Sequence, residues 1–138
     1  MAGELLLDTG PLVSLLDRTQ RHHEACLAVL EDWPGELVTT EAVLTEASHL
    51  LARVPGGAVL CLEFVLRGGA VVAPTSPTAL ERACELMRKY AEIPMDYADA
   101  TLVVLAEELG TLDVFTLDRR GFATYRARRS RAFRIHPT

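Results

Sequence analysis

Short apolar runs alternate with amphipathic stretches along the whole chain, and this pattern predicts strands separated by helices. The apolar runs predict strands over residues 4–7, 36–39, 70–73 and 113–117, and a further one over 132–135. The amphipathic stretches predict helices over residues 11–17, 21–32, 40–52, 58–66, 77–93 and 95–109, and a short one after residue 118. The alternation indicates an α/β fold, a parallel, doubly wound sheet of 4–5 strands flanked by helices.

Several predicted helix ends carry capping signals. Thr40 and Ser76 are candidate N-caps, and Pro77 suits a first helical position. Gly110 is a candidate C-cap. The predicted inward face of the helix that starts at Pro77 consists of Leu80, Ala83, Cys84, Met87 and Tyr90.

Composition favours a single domain over residues 1–138 with a mainly aliphatic core, since 49% of the residues are hydrophobic and only 6% are aromatic. The cysteines, Cys26, Cys61 and Cys84, are odd in number and lie in separate apolar patterns, so we predict core thiols in a reducing cytoplasm. No run approaches the ~18 apolar residues that a membrane span needs, and the N-terminus lacks the pattern of a secretory signal.

Basic residues are concentrated at the C-terminal end of an acidic chain. The net charge of −5 argues against a general nucleic-acid binder. Two interpretations of the basic end remain open, a solvated tail and a surface that binds phosphate or a partner protein. The last twenty positions contain Arg119, Arg120, Arg126, Arg128, Arg129, Arg131 and Arg134.

Two acids follow predicted strands. Asp8 comes directly after the apolar residues 5–7, and Asp118 comes directly after residues 114–117. In open α/β sheets, ligands bind beyond the carboxyl ends of the strands, near the point where the strand order reverses. We therefore expect both acids at one edge of the sheet, where Thr116 can hydrogen-bond a carboxylate.

Glu46 has an unusual position on its predicted helix. It shares an apolar stripe with Val43 and Leu50 by i+3 and i+4 spacing, which predicts that it faces the core. A carboxylate there is costly unless it is paired, hydrogen-bonded or bound to a metal. A metal ligand and a buried ion pair, with Arg18 or Arg53 for example, are equally compatible with this pattern.

A second pair of acids opens the helix over residues 95–109. Asp96 and Asp99 are three residues apart, so both can lie on one face beside the positive end of the helix dipole. One aspartate at this place is an ordinary N-cap. Because a cap needs only one acid, the second indicates another role.

Together these acids predict one metal site. Carboxylates crowded at a sheet edge raise one another's pKa values, and a hard divalent cation such as Mg²⁺ or Mn²⁺ removes that penalty. One or two such ions can activate water for attack on a phosphodiester, so we predict metal-dependent phosphodiester hydrolysis. The predicted metal ligands are Asp8, Glu46, Asp96, Asp99 and Asp118.

Four short motifs in order along the chain match a known family. They are Asp8-Thr9 after an apolar strand, Thr40 to Glu46 in a helix, Asp99-Ala100 opening an apolar helix, and Thr116 to Phe122 at a strand end. In these motifs the chain resembles the PIN-domain proteins, and among them the VapC-type ribonuclease toxins of toxin–antitoxin pairs. The resemblance covers essentially the whole chain and implies a three-layer PIN-like sandwich.

The resemblance also implies an activity and partners. It implies Mg²⁺- or Mn²⁺-dependent cleavage of structured RNA such as tRNA or rRNA, with Asp8, Glu46 and Asp99 as core ligands and Asp118 as the fourth acid. These four acids are the implied catalytic residues, and Thr9 and Thr116 are the supporting residues. It implies a homodimer in the cytoplasm and a small antitoxin protein that occupies the active-site groove. The predicted contacts to RNA or antitoxin are Arg119, Arg120, Arg128, Arg129 and Arg131.

The chain departs from the family pattern at two positions, and other functions remain open. An acid often stands where Gly121 is found, and Asp96 is an additional acid, assigned as an alternate ligand or a carboxylate behind the ligands.

The first alternative function is a receiver-like signalling domain that binds Mg²⁺. Such domains need an acidic pair after the first strand and a lysine near the end, whereas this chain has Asp8 alone and its only lysine is Lys89. A catalytically inactive PIN-like binding module and a DNA-directed nuclease are the others.

Overall fold

A five-stranded parallel sheet lies at the centre of the computed structural model, which describes residues 3–138. The strand order is β3-β2-β1-β4-β7, and β5 and β6 form a separate antiparallel hairpin. This confirms the predicted parallel sheet. The strands are β1 (Leu5–Leu7), β2 (Leu37–Thr40), β3 (Val71–Ala73), β4 (Asp113–Phe115), β5 (Arg126–Ala127), β6 (Arg131–Ala132) and β7 (Arg134–His136).

Helices cover the sheet on both sides and complete the predicted three-layer arrangement. The helices are α1 (Thr9–Leu16), α2 (His23–Asp32), α3 (Glu41–Leu51), α4 (Gly57–Leu66), α5 (Pro77–Lys89), α6 (Tyr97–Leu109) and α7 (Arg119–Thr124). Helices α1, α3 and α4 contact one another, and α5 packs against α6, which also contacts β1 and β2. No helix between Gly3 and Thr138 is long and apolar enough to span a bilayer.

The core is built around β1 and α6. Leu5, Leu6 and Leu7 are each 0% exposed, because β1 is a central strand with helices over both of its faces. A fully buried leucine of this kind stabilises the fold by about 1.5–3 kcal/mol. Every residue of 100–106 in α6 is also buried. The first strand and the sixth helix are therefore rigid supports for the residues at their ends.

The predicted caps are confirmed. Thr40 Oγ1 accepts the backbone N–H of Val43 at 3.4 Å, and Ser76 Oγ accepts that of Ala79 at 3.1 Å. Gly110 ends α6 with φ +70°, a left-handed conformation in which a side chain is strained. Local signals therefore set these helix ends correctly.

The predicted inward face of α5 is partly wrong. Its buried positions are Ala79, Ala83 and Leu86, followed by Tyr90, whereas Leu80 is 44% exposed. Cys84 is exposed, so the prediction of three core thiols holds only for Cys26 and Cys61. Both rows of residues have helical spacing, and packing of α5 against α6 decided which row is buried.

The last strand lies slightly later than predicted, at 134–136 instead of 132–135. Asp113 in β4 pairs with Arg134 in β7, and its two carboxylate oxygens accept hydrogen bonds from the Arg134 Nε and Nη2 atoms at 2.8 Å each. His136 Nε2 lies 3.0 Å from the same carboxylate. This long-range pair sets the register of the strand, and no local pattern reveals it.

The strand order also excludes one alternative function. Receiver-like domains have the order 2-1-3-4-5, in which the first strand lies between the second and the third. Here β1 lies between β2 and β4. The receiver-like alternative is therefore wrong.

Candidate active site

The five predicted acids line one pocket at the carboxyl edge of the sheet. The strand order reverses between β1 and β4, which is where open α/β sheets bind their ligands. The pocket has a volume of about 510 Å³. Its lining includes Asp8, Glu46, Asp96, Asp99 and Asp118.

Asp8 is the most deeply buried of these acids, with 7% of its surface exposed. Its Oδ1 accepts the backbone N–H of Thr9 at 2.8 Å, and its Oδ2 accepts the Thr116 hydroxyl at 2.7 Å. Burial, helped by the nearby carboxylates of Asp96 and Glu46, raises the pKa of Asp8 to about 6 against these two hydrogen bonds. The Asp8 carboxyl group is therefore held in one orientation, while its ionised form is destabilised.

Asp96 and Asp99 form a capping box at the start of α6. Asp96 Oδ1 accepts the backbone N–H of Asp99 at 2.8 Å, and Asp99 Oδ2 accepts that of Asp96 at 3.3 Å. The inference that a cap needs only one acid is wrong here, because this box uses both. Burial raises the pKa of Asp99, and the charges of Asp8 and Asp96 raise it further.

Tyr125 is a residue of the site that the sequence analysis missed. Its hydroxyl donates to Asp99 Oδ2 at 3.3 Å, and the side chain is buried between the rings of Tyr90 and Phe122, whose centroids lie 5.1 Å and 5.2 Å away. Burial raises the pKa of Tyr125, and so do Asp99 and Asp118, which keeps the hydroxyl protonated at neutral pH. Tyr125 stands in an arginine-rich segment with no periodic pattern, so the sequence carries no signal for it.

Thr116 connects Asp118 to Asp8. Its Oγ1 donates to Asp8 and accepts the backbone N–H of Asp118 at 3.0 Å, which confirms the predicted hydrogen bond to a carboxylate. Asp118 is exposed, and its Oδ1 caps α7 by accepting the N–H of Gly121 at 3.1 Å. A Cβ atom at Gly121 would overlap Asp118 Oδ2 and lie 3.1 Å from the Tyr125 ring. The glycine therefore leaves the space that the Asp118 carboxylate occupies.

The expectation of a buried Glu46 is wrong, although the residue does line the pocket. Glu46 is exposed and Leu50 is 47% exposed, because α3 buries the row that contains Val43, Ala47 and Leu51. Within residues 3–138 Glu46 forms no ion pair, so the alternative of a buried pair with an arginine is also wrong. The 46/50 row of α3 faces the open pocket instead of the core.

The donor atoms of the pocket fit a hard cation chemically. No group of three or more His, Cys, Asp or Glu side chains among residues 3–138 is arranged so that it holds an ion as it stands. The caps use one oxygen of each aspartate, and Oδ1 of Asp99, Oδ2 of Asp96 and Oδ2 of Asp118 accept no hydrogen bond within the described chain. The buried Thr9 Oγ1 also lacks a partner there. Carboxylate and hydroxyl oxygens suit Mg²⁺ or Mn²⁺.

Basic side chains lie at the rim of the pocket. Arg53 lines it and forms a long ion pair with Asp17 at 3.9 Å. His22 lines it as well and is exposed. The sequence analysis considered Arg53 only as an ion-pair partner of Glu46 and did not mark His22, because neither position has a pattern that points to the site.

The five predicted contact arginines differ in their surroundings. Arg119 donates to the carbonyl of Pro137 at 2.7 Å, and Arg131 Nε donates to the carbonyl of Arg128 at 3.3 Å. Arg128 lies beside Glu107 at 3.6 Å. Arg120 and Arg129 are exposed. All five side chains therefore lie at the surface, and three of them, Arg119, Arg128 and Arg131, also contact other groups of the same chain.

Comparison with known proteins identifies the class. The model of the PIN domain family matches residues 5–127, so the chain belongs to this family. Ribonuclease VapC26 of Mycobacterium tuberculosis (strain ATCC 25618 / H37Rv) is 32% identical over 124 residues, which cover 88% of this chain and 92% of VapC26. The resemblance to PIN-domain proteins of the VapC type is thus confirmed.

Solved structures show the same fold at lower identity. VapC20 of Mycobacterium tuberculosis, a Sarcin-Ricin loop cleaving toxin, has a TM-score of 0.78 at 21% identity, covering 85% of this chain and 92% of that one. VapBC2 from Rickettsia felis, bound to a DNA fragment from their promoter, has a TM-score of 0.66 at 12% identity, covering 96% and 98%. A toxin–antitoxin complex from Klebsiella pneumoniae has a TM-score of 0.64 at 20% identity, covering 87% and 91%.

Proposed function

We propose that this chain is the toxin of a toxin–antitoxin pair, an endoribonuclease that hydrolyses phosphodiester bonds in structured RNA such as tRNA or rRNA. The observation that carries the proposal is the convergence of five carboxylates on one pocket beside the strand-order reversal. The names of its relatives support it, since VapC26 is a ribonuclease and VapC20 cleaves the Sarcin-Ricin loop.

Mg²⁺ or Mn²⁺ is the proposed cofactor. Asp8, Glu46, Asp99 and Asp118 would hold it, with Asp96 as an alternate ligand. When bound, such an ion neutralises the crowded carboxylates, lowers the pKa of water and stabilises the leaving oxygen of a phosphodiester. The raised pKa values of Asp8 and Asp99 are consistent with this role, because a cation removes the repulsion that contributes to them.

The work of the chain itself is to hold these carboxylates in position. Thr116 orients Asp8 from the neighbouring strand, and Tyr125 and the capping box orient Asp99. Thr9 lines the same pocket, and its buried hydroxyl has no hydrogen-bond partner among residues 3–138. Oriented carboxylates of this kind lose less entropy on binding a cation than flexible ones do.

Partners and location follow from the same proposal. We expect one PIN-like domain over residues 1–138, a cytoplasmic homodimer, and a small antitoxin protein that covers the pocket. One of the similar structures is a toxin–antitoxin complex, and another is VapBC2 bound to a DNA fragment. Both support the proposal of an antitoxin partner. The arginines of the C-terminal segment would contact RNA or antitoxin, as detailed for one cavity below.

The test is cleavage of a mixed tRNA and rRNA pool by the purified chain with Mg²⁺, with Mn²⁺ and with EDTA. The Asp99→Asn variant removes one proposed ligand, and Asp32→Asn, an exposed position outside the pocket, is the matched control. We expect discrete cuts that require metal, persist in the Asp32 variant and vanish in the Asp99 variant. A single-stranded DNA of the same length tests the DNA-directed alternative.

Two results contradict the proposal. Cleavage that survives Asp99→Asn means that the pocket is not the catalytic site. No cleavage under any condition, together with metal binding detected by calorimetry, means that the chain is a PIN-like binding module without turnover.

A further inference from the structure

A cavity with a strongly basic lining lies on the surface between α5 and the β5–β6 hairpin. Its volume is about 400 Å³, and no carboxylate belongs to its lining. In a chain with a net charge of −5, this is a marked local concentration of positive charge. The lining consists of Arg82, Lys89, Arg126, Ala127, Arg128, Arg129 and Ser130.

Three of the five cations have no acidic partner. Within residues 3–138, Lys89, Arg126 and Arg129 form no ion pair. Arg126 Nη1 is oriented by three backbone carbonyls at 2.8–3.2 Å, which leaves its charge uncompensated. Lys89 lies over the ring of Tyr90, with Nζ 5.3 Å from the centroid. The cavity therefore attracts anions by its net charge.

The other two cations are fixed in place by one buried acid. The Glu107 side chain is 6% exposed, and it accepts two hydrogen bonds from Arg82 at 2.9 Å each. Its Oε2 also accepts the backbone N–H of Arg128 at 2.9 Å. The Glu107 carboxylate therefore fixes Arg82 of α5 and the β5–β6 hairpin relative to each other. The wall of the cavity is thus preorganised.

The backbone at the tip of the hairpin has an unusual conformation. Arg129 and Ser130 have φ values of +65° and +57°, which non-glycine residues rarely adopt. Successive N–H groups near such left-handed residues form concave anion-binding surfaces in proteins. Arg129 and Ser130 line the cavity, so this unusual backbone lies beside the side-chain cations.

The cavity is adjacent to the acid pocket. Tyr125, whose hydroxyl donates to Asp99, directly precedes Arg126 of the cavity wall. The backbone N–H of Arg126 donates to the Tyr90 hydroxyl at 3.0 Å, and Tyr90 follows Lys89. One layer of two packed tyrosines therefore separates the carboxylates from the cations.

We propose that this cavity binds backbone phosphates of the RNA substrate beside the scissile phosphate. The inference rests on the proposed ribonuclease function, and it adds the place on the protein where the nucleotides next to the cleaved bond lie. Guanidinium groups match phosphate oxygens in geometry, and an array of cations next to a carboxylate pocket offsets the repulsion of a polyanion from those carboxylates. An acidic segment of a partner protein carries similar charge; RNA is favoured because its phosphates have to reach the neighbouring carboxylate pocket for cleavage, whereas an acidic segment has no need to lie beside carboxylates.

The test compares two double variants with equal loss of charge. Lys89→Gln with Arg129→Gln removes two unpaired cations of the cavity without disturbing Glu107. Arg18→Gln with Arg88→Gln removes two exposed cations that lie outside the cavity lining and form no ion pair within residues 3–138, so it is the matched control. Binding of a fluorescent RNA stem-loop is measured in EDTA as a function of salt, so the result does not depend on cleavage.

We expect the cavity variant to lose about tenfold in RNA affinity near physiological salt, and the slope of log K against log salt to become shallower by about 1.4–1.8, the range for two phosphate contacts in single-stranded and duplex nucleic acid. The control is expected to change the slope by less than half as much. Equal losses in both variants would overturn the proposal, leaving only a general charge effect. Unchanged RNA binding, with weaker binding of a poly-glutamate peptide, would assign the cavity to an acidic protein partner. Either negative result leaves the cleavage test of the proposed function unaffected.

Discussion

The hydroxyl of Thr116 donates to Oδ2 of Asp8 at 2.7 Å, and this bond joins two residues that are 108 positions apart in the sequence. It links the carboxyl ends of β1 and β4 at the point where the strand order reverses. The same Oγ1 accepts the N–H of Asp118, so one buried hydroxyl holds two of the pocket's acids in register.

Replacing Thr116 by valine keeps the shape of the side chain and removes this hydroxyl. Because a hydrogen bond to a buried charged group is lost, we expect the free energy of unfolding to fall by about 1.5–3 kcal/mol. Cleavage is expected to fall about 10–100-fold, since Asp8 is no longer oriented. Thr124→Val, which removes an exposed hydroxyl that donates to the Arg120 carbonyl, is the control in the same thermal melts and assays. Equal effects of the two variants would contradict a specific role for Thr116.

Neutralising Asp8 is expected to abolish cleavage while leaving the fold intact or more stable. The pKa of Asp8 is about 6 in the folded chain and 3.8 for an unperturbed group, so the folded state holds this proton more tightly. The free energy of unfolding therefore falls as pH rises from about 4 to 7, by up to roughly 3 kcal/mol for this group. Asp8→Asn should remove that loss, giving a higher melting temperature in EDTA at pH 7.5 and little gain at pH 4. A lower stability at both pH values would instead show that its hydrogen bonds to Thr9 and Thr116 dominate.

Tyr125→Phe is expected to impair cleavage with little loss of stability. The ring remains packed between Tyr90 and Phe122, and only the donor to Asp99 is lost. We expect cleavage to fall about tenfold, with a weaker apparent affinity for Mg²⁺ in a titration. Tyr90→Phe is the matched control, because it removes a neighbouring buried hydroxyl that contacts the Arg126 backbone and no acid. If the Tyr125 hydroxyl had only a structural role, the Mg²⁺ titration of the Tyr125→Phe variant would match that of the unmodified protein.

The Asp113–Arg134 pair is expected to make the sheet edge sensitive to acid. Hydrogen bonds from Arg134, and secondarily the neighbouring His136, hold the pKa of Asp113 below its usual range. Its contribution to stability is therefore present above pH ~4 and is lost as pH falls through the folded pKa. Asp113→Asn should lower the melting temperature at pH 7 and flatten its decline below pH 4. Partial exposure of Arg134 keeps the expected effect to about 1 kcal/mol. Identical curves of melting temperature against pH for the Asp113→Asn variant and the unmodified protein would refute this role.

Patterns within single elements were enough to predict the sheet, most helices and their caps. The run Leu5–Leu7 predicts a buried strand because only a central parallel strand buries every side chain. Thr40, Ser76 and Gly110 mark helix ends because capping is a local interaction between residues a few positions apart. Asp8 and Asp118 were predicted at one edge because parallel strands place their carboxyl ends together.

Tertiary packing decided the features that depend on which helix meets which. Glu46 was predicted to be buried from the stripe on its own helix, but α3 presents the 46/50 row to the pocket. The buried face of α5, which leaves Cys84 exposed, was chosen in the same way by α6.

The sequence by itself determined that Asp8 and Asp118 meet at the sheet edge, because strand direction and strand-end position are encoded locally. Only the tertiary structure decided what surrounds them: the Tyr125 hydroxyl and the basic cavity behind it. The hydrogen bonds that build these features join residues 21–26 positions apart, and no periodic pattern encodes the distance between such residues.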